Sequence, residues 1–203
     1  MYGQVFEDNN YSSAKAGIND CKLVFFGLNE HGGSGGTSKN VIDLIVKVGG
    51  LEVKTRWFEA EMESVKPREK KNPLTGIKEL QSKEDAFADA IKDQQHATKS
   101  VLTALGVPTT AFTDAMKKVK DFKSYAQALT DLVPKNATDL NLECLLQFDS
   151  KGYLKMPDKL WVSGRFLRDK DSKQEALEVG ARLKMHKDGE EAEDSKPSTS
   201  WSV

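Results

Sequence analysis

The sequence predicts an α+β fold: a five-stranded antiparallel barrel with an enlarged helical segment between its third and fourth strands. Three observations predict it. A β-hairpin with two consistent faces reads directly from residues 41–58. The hydrophobic period then changes from two to between three and four over residues 82–133. Short β-rich runs return from residue 140 onward.

Residues 1–17 are small and polar, and an arm with little regular structure is expected there. "CKLVFFGL", 21–28, is apolar and rich in β-formers, which predicts a strand. Phe25 and Phe26 are adjacent, so only one of them can face the core. "VIDLIVKVGGLEVKTRWF", 41–58, sets Gly49-Gly50 between two β-rich runs, the mark of a two-residue hairpin turn. With Val48 opposite Leu51, one face holds Val48/Leu51, Val46/Val53, Leu44/Thr55 and Ile42/Trp57. The other holds Lys47/Glu52, Ile45/Lys54, Asp43/Arg56 and Val41/Phe58. The first is a core face. The second pairs opposite charges twice, which stabilises a ladder by about 0.2–1 kcal/mol per pair. A one-residue slip would invert both faces, so their agreement fixes the register.

"ESVKPREKKNPLTGIK", 63–78, reads as a loop and is basic through Lys66, Arg68, Lys70, Lys71 and Lys78. Ser82 with Asp85 resembles a capping box. Phe87, Ala90, Ile91, Val101, Leu102 and Leu105 continue that helix until Gly106 and Pro108 stop it. Two shorter helices follow, one with Phe112, Met116 and Val119, the other with Phe122, Tyr125, Leu129 and Leu132. "LNLECLLQF", 140–148, alternates as a strand with Leu142, Cys144 and Leu146 on one face. "DSKG" is a turn. "YLKMP" and "LWVSGRFLR" are β-like again, with Trp161, Ser163, Arg165 and Leu167 expected on one face and Phe166 and Arg168 on the other. Ser172 with Glu175 suggests a last capping box and a short helix in "KQEALEVGARLKM". Residues 187–203 are polar and acidic, and predict a disordered tail.

Strand, hairpin, helices, strand, strand is the order of an oligonucleotide-binding (OB) barrel, with residues 78–134 as an enlarged form of its helix. The expected organisation is one OB-like domain over 1–186 and a tail over 187–203. A chain of 203 residues suits one domain. No apolar run approaches the ~20 residues of a membrane span. The opening "MYGQVFEDNN" lacks the basic start and apolar core of a secretory signal, so the cytoplasm is the expected compartment. There Cys21 and Cys144 should be reduced, buried thiols. The net charge of −1 hides an asymmetry. Residues 187–203 hold five acids against two lysines, leaving 28 basic and 26 acidic residues in 1–186.

Little in the sequence resembles reactive chemistry. "HGGSGGTSKN", 31–40, has the residues of a phosphate loop but not the spelling, because Lys39 follows Ser38 rather than a glycine. It also runs from strand to strand, with no helix N-terminus to offer an anion. His31, His96 and His186 lie far apart in the chain, with no Cys or acid at metal-ligand spacing. No enzyme, metal or cofactor is expected. Binding remains. Single strands are held by basic side chains on phosphates and by aromatic faces under bases. The stretches that interleave the two are Lys54, Arg56 and Phe58; Tyr153 and Lys155; and Trp161, Arg165 and Arg168. Lys70 and Lys71 of the basic loop add charge.

"AGINDCKLVFFGLNE", "VIDLIVKVGGLEVKTRWFE" and "LECLLQFDSKGYLKMPDKLWVSGRF", with an acidic terminus carrying Trp201, resemble phage-encoded single-stranded DNA-binding proteins. The resemblance implies an OB fold that coats single strands in DNA replication, recombination or repair, in the host cytoplasm. It also implies an acidic tail that competes with DNA and recruits replication or recombination proteins. A homo-oligomer is compatible with it. The alternative is a structural or interaction protein, a virion component or a partner-recruiting module.

Overall fold

The computed structural model describes residues 14–32, 38–71, 76–157 and 165–179. The strands are β1 (Gly17–Gly32), β2 (Ser38–Val48), β3 (Leu51–Phe58), β4 (Glu69–Lys71), β5 (Lys78–Leu80), β6 (Leu142–Phe148), β7 (Leu154–Lys155) and β8 (Leu167–Asp169). The helices are α1 (Lys83–Ala104), α2 (Thr109–Met116) and α3 (Phe122–Leu132), and they lie in sequence between β3 and β6. Among the described residues no helix is long and apolar enough to cross a membrane.

The main sheet is antiparallel, in the order β3-β2-β1-β6-β7. The β2–β3 hairpin has the predicted register at all eight pairs, from Val48↔Leu51 to Val41↔Phe58. Gly49 takes φ +57 in its turn, a conformation that costs glycine little. β1 is longer than "CKLVFFGL" and does two jobs. Gly17–Cys21 pairs with β6, and Lys22–Gly32 pairs with β2. Within the part paired with β2 the register shifts at Val24, between Leu23 and Phe25. That bulge turns Leu23 and Phe26 to the same, inner side, and both are buried. It decides between the two adjacent phenylalanines: Phe26 is core and Phe25 is half-buried.

β7 and β8 are two pieces of one returning strand. Gln147 faces Lys155 and Cys144 faces Leu167, so β6 advances three residues while the returning chain advances twelve. Over the described residues 165–168 the expected alternation is broken: Phe166 and Leu167 are adjacent and both buried. The barrel then nearly closes. Thr55 Oγ1 on β3 reaches the carbonyl of Met156 just after β7, 3.5 Å away. Trp57 stacks obliquely on Phe166, with ring centroids 6.4 Å apart. This five-stranded antiparallel barrel with three helices is consistent with an OB-like α+β fold.

One continuous core fills it, from Ile42, Leu44 and Val46 on β2 to Leu142, Leu145 and Leu146 on β6. α1 contributes Val101 and Leu102, and α3 contributes Tyr125 and Leu129. Ser82 caps α1, accepting from Asp85 N at 3.0 Å. Asp121 and Ser124 form a reciprocal capping box at α3. Ser172, by contrast, caps no helix within the described residues. It donates to Asp169 O at 2.6 Å in a turn, and residues 173–179 are not helical. The basic stretch 63–78, expected to be a loop, contains β4, which pairs with β5 at and just after its end. Cys21 and Cys144 are free, buried thiols, as expected. Residues 1–13 of the expected arm and the acidic stretch 187–203 lie outside the described residues.

α3 packs against β1 beyond the point where β6 stops pairing. Leu28 N donates to Thr130 Oγ1 on α3 at 2.8 Å, which satisfies a strand-edge donor. Gly27 permits this approach. A Cβ there would lie 2.2 Å from Thr130 Oγ1, and the residue has φ +149.

Candidate functional site

Two surfaces collect the predicted side chains. The first is the outer face of β2 and β3. Lys54, Arg56 and Phe58 alternate along β3 on the side away from the core. Of the two charge pairs expected on this face, Asp43 and Arg56 form an ion pair, while Lys47 and Glu52 face each other without one. Asp43 is fully buried at the centre of the face. Arg56 grips it with Nε on Oδ1 at 2.6 Å and Nη2 on Oδ2 at 2.8 Å. Asn29 on β1 donates to Oδ2 at 2.8 Å, and Lys54 Nζ stands 3.8 Å away. Burial pushes the Asp43 carboxyl up. The hydrogen bonds from Arg56 and Asn29, with the charges of Arg56 and Lys54, outweigh burial and hold it below the usual carboxylate range.

The third Arg56 nitrogen, Nη1, lies 2.7 Å from His31 Nδ1. A guanidinium can only donate, so His31 accepts there and carries its proton on Nε2. Phe58 completes the group. Its ring is 49% exposed, with the Arg56 guanidinium 6.0 Å from the centroid and the His31 ring edge-on at 5.8 Å. The result is an exposed aromatic face held by two rigid neighbours. His31 sits where β1 and β2 end, paired with Lys39, so the glycine-rich stretch does connect strand to strand.

The β6–β7 turn leads into β7, whose next residue, Met156, meets Thr55 on the inner face of β3. Asp149 shapes that turn by accepting from Lys151 N at 2.8 Å and Tyr153 N at 2.9 Å. Tyr153 is left 69% exposed, and Lys155 is half-buried on β7.

The second surface runs along α1. The segment 64–70 and Gln81 stand opposite α1 and enclose a groove of about 790 Å³. Ala86 and Ala90 form part of its floor, and their small side chains leave the space open. Lys66, Arg68, Lys70 and Lys92 line it against two carboxylates, Asp89 and Asp93. Lys70 and Gln81 both bond Asp89. Lys66, Arg68 and Lys92 make no ion pair among the described residues.

The predicted residues are therefore divided. Lys54, Arg56 and Phe58 are together on the sheet. Lys70 belongs to the groove. Arg165 lies near the groove's far end beside His96 and Lys99, bonded to Glu175 at 2.8 Å. Arg168 joins neither surface. It is largely buried, bonded to Glu143 at 2.9 Å and to Gln174 O at 3.0 Å. Trp161 lies outside the described residues, as does the side chain of Lys71. The sequence pairs Asp43 with Arg56, as observed, but it does not show that His31 and Asn29 join them, or that Lys92 joins the basic segment. Among the described residues no group of three or more His, Cys, Asp or Glu side chains could hold a metal ion. No protein-family model, curated protein or solved structure matches the chain.

Proposed function

We propose that the protein binds single-stranded DNA without sequence preference, as a non-enzymatic component of phage DNA replication, recombination or repair. The exposed Phe58 ring, braced by Arg56 and His31 on the outer face of β2–β3, carries this reading. Strands 2 and 3, with the loops after strands 1 and 4, are where OB barrels hold oligonucleotides. Phe58 stacks a base, worth about 1–3 kcal/mol. Tyr153, at the β6–β7 turn, offers a second ring. Lys54 and Lys155 contact phosphate. Arg56 serves chiefly to hold Phe58, because Asp43 already neutralises it. In this reading the three helices are the enlarged OB helix. The acidic stretch 187–203 recruits replication or recombination proteins in the host cytoplasm.

Replacing Phe58 tests the reading. Phe58→Ala should weaken oligo-dT binding by about 1–3 kcal/mol with unchanged thermal stability. Equal affinity in parent and variant would remove Phe58 from the interface.

A second reading, a virion component or partner-recruiting module, is favoured by one observation. A cleft of about 270 Å³ between α1 and the start of α3 is lined by Phe87, Ile91, Val119, Phe122 and Tyr125. A parent chain that binds no oligo-dT at low salt would leave this reading in place.

A further inference from the structure

The sheet face and the groove along α1 are not separate places. Arg56 and Phe58 line a depression of about 210 Å³ together with Arg68, Ala90 and Asp93. The last three also line the larger groove. At the other end His96 is shared with a third depression, lined by Lys99, Thr103 and Arg165. The three join into one channel that begins at Phe58 and follows α1. Along the helix its lining residues include Asp89, Asp93, His96, Ser100 and Thr103, spaced three or four apart, with Lys92 and Lys99 beside them, which places them on one stripe. From Asp89 to Thr103 that stripe is roughly 20 Å long.

The charges along the channel are uneven in a useful way. Asp89 is bonded by Lys70 and Gln81, which hold its carboxyl below the usual carboxylate range. Lys66, Arg68 and Lys92 make no ion pair among the described residues, although the charge of Lys92 also helps hold Asp89 ionised, and all three are exposed. Exposed aliphatic or aromatic side chains suited to receive bases are scarce on this stretch; its ring-bearing end is Phe58. Beyond Phe58 and Trp57 the one ring among the channel's described lining residues is His96, and Asp93 is the one carboxylate there without an ion pair, so the lining is mainly cationic, which fits a phosphate backbone better than stacked bases.

We propose that this channel is a phosphate track, which carries single-stranded DNA from the Phe58 platform along α1. The inference rests on the DNA-binding reading above and adds a path and a site size to it. Short oligonucleotides occupy the sheet face alone, and longer ones also engage Lys66 and Lys92.

The test uses the full chain, its Lys66→Ala/Lys92→Ala variant, and labelled oligo-dT of two lengths near the ends of the ~4–16 nucleotide range of OB sites. Both lysines are exposed and outside any ion pair among the described residues, so thermal stability should not change. Affinity for the short oligonucleotide should be unchanged. Affinity for the long one should fall roughly tenfold, and its log–log salt slope should drop by about 1.4, or about 0.7 per lost contact. Equal affinity and slope for the long oligonucleotide in both proteins would overturn the track while leaving the sheet-face reading intact. Equal weakening at both lengths would overturn it too, by placing the lysines on the short site. A parent that binds neither length overturns both readings. Binding of poly-glutamate by the parent but not the variant, without any effect on DNA, would assign the groove to an acidic protein partner.

Discussion

Asp43 is the residue on which the β2–β3 face turns. It is fully buried, and Arg56 and Asn29 satisfy it. Asp43→Asn would leave Arg56 bonded to a neutral group with no counter-charge. Urea unfolding at neutral pH should show a loss of about 2 kcal/mol. The pH dependence follows from the same contacts. The folded-state pKa lies below the unfolded value of about 3.9, so the carboxylate's contribution is complete above that value. It is lost as pH falls through the folded-state pKa. The stability gap between parent and Asp43→Asn should therefore narrow in acid, below about pH 4. A gap that stays constant would mean the charge is not what Arg56 holds. Arg168 makes the contrasting case. Its bonds to Glu143 and Gln174 tie β6 to the turn after β8. Arg168→Ala should lower stability by about 2 kcal/mol and leave the DNA affinity of the folded protein unchanged. A selective loss of affinity would return Arg168 to the interface.

The strands differ in how much of them the sequence discloses, and the reasons are physical. The β2–β3 hairpin was readable because the turn and both faces are local, within 18 residues, and all agree. β1 was readable only in part. Its first half is inverted: Asn19 is buried and Ile18 is exposed. Asn19 survives burial by donating to Lys15 O and Gly17 O and accepting from Lys15 N, none of which a hydrophobic pattern records. Its pairing with β6 joins residues more than 120 positions apart. The returning strand was misread for a similar reason. Its two pairings with β6 are out of register by nine residues, and Phe166 and Leu167 are both buried, so a continuous alternation does not hold. α3 was legible as a helix but its seat was not, because that depends on Gly27 across the fold. Gly27→Ala should cost at least about 2 kcal/mol, from a positive φ and from the contact with Thr130. Thermal melting reads this directly, and an unchanged midpoint would show that α3 is not pressed against β1.

At the scale of the whole molecule, barrel and helices together make what neither makes alone. The sheet presents Phe58, and the groove beside it exists only because the segment 64–70 stands off α1. Sequence reasoning saw the aromatic and basic residues of the sheet but could not join the loop's cations to those of α1, which lie 22 or more residues further on. The Asp43–Arg56 pair was legible from the register, but not the full burial of Asp43 that commits Arg56 to it. What remains for DNA is a modest set of cations and one well-held ring, which predicts moderate, salt-sensitive affinity rather than a deep electrostatic trap. The central claim is single-strand binding, and fluorescence anisotropy of labelled oligo-dT with the full chain, across a range of salt, tests it most directly. Binding at low salt, with log Kd rising linearly with log salt by about 0.7 per contacted phosphate and the same affinity for a mixed sequence, is the predicted result. No anisotropy change at low salt would contradict it.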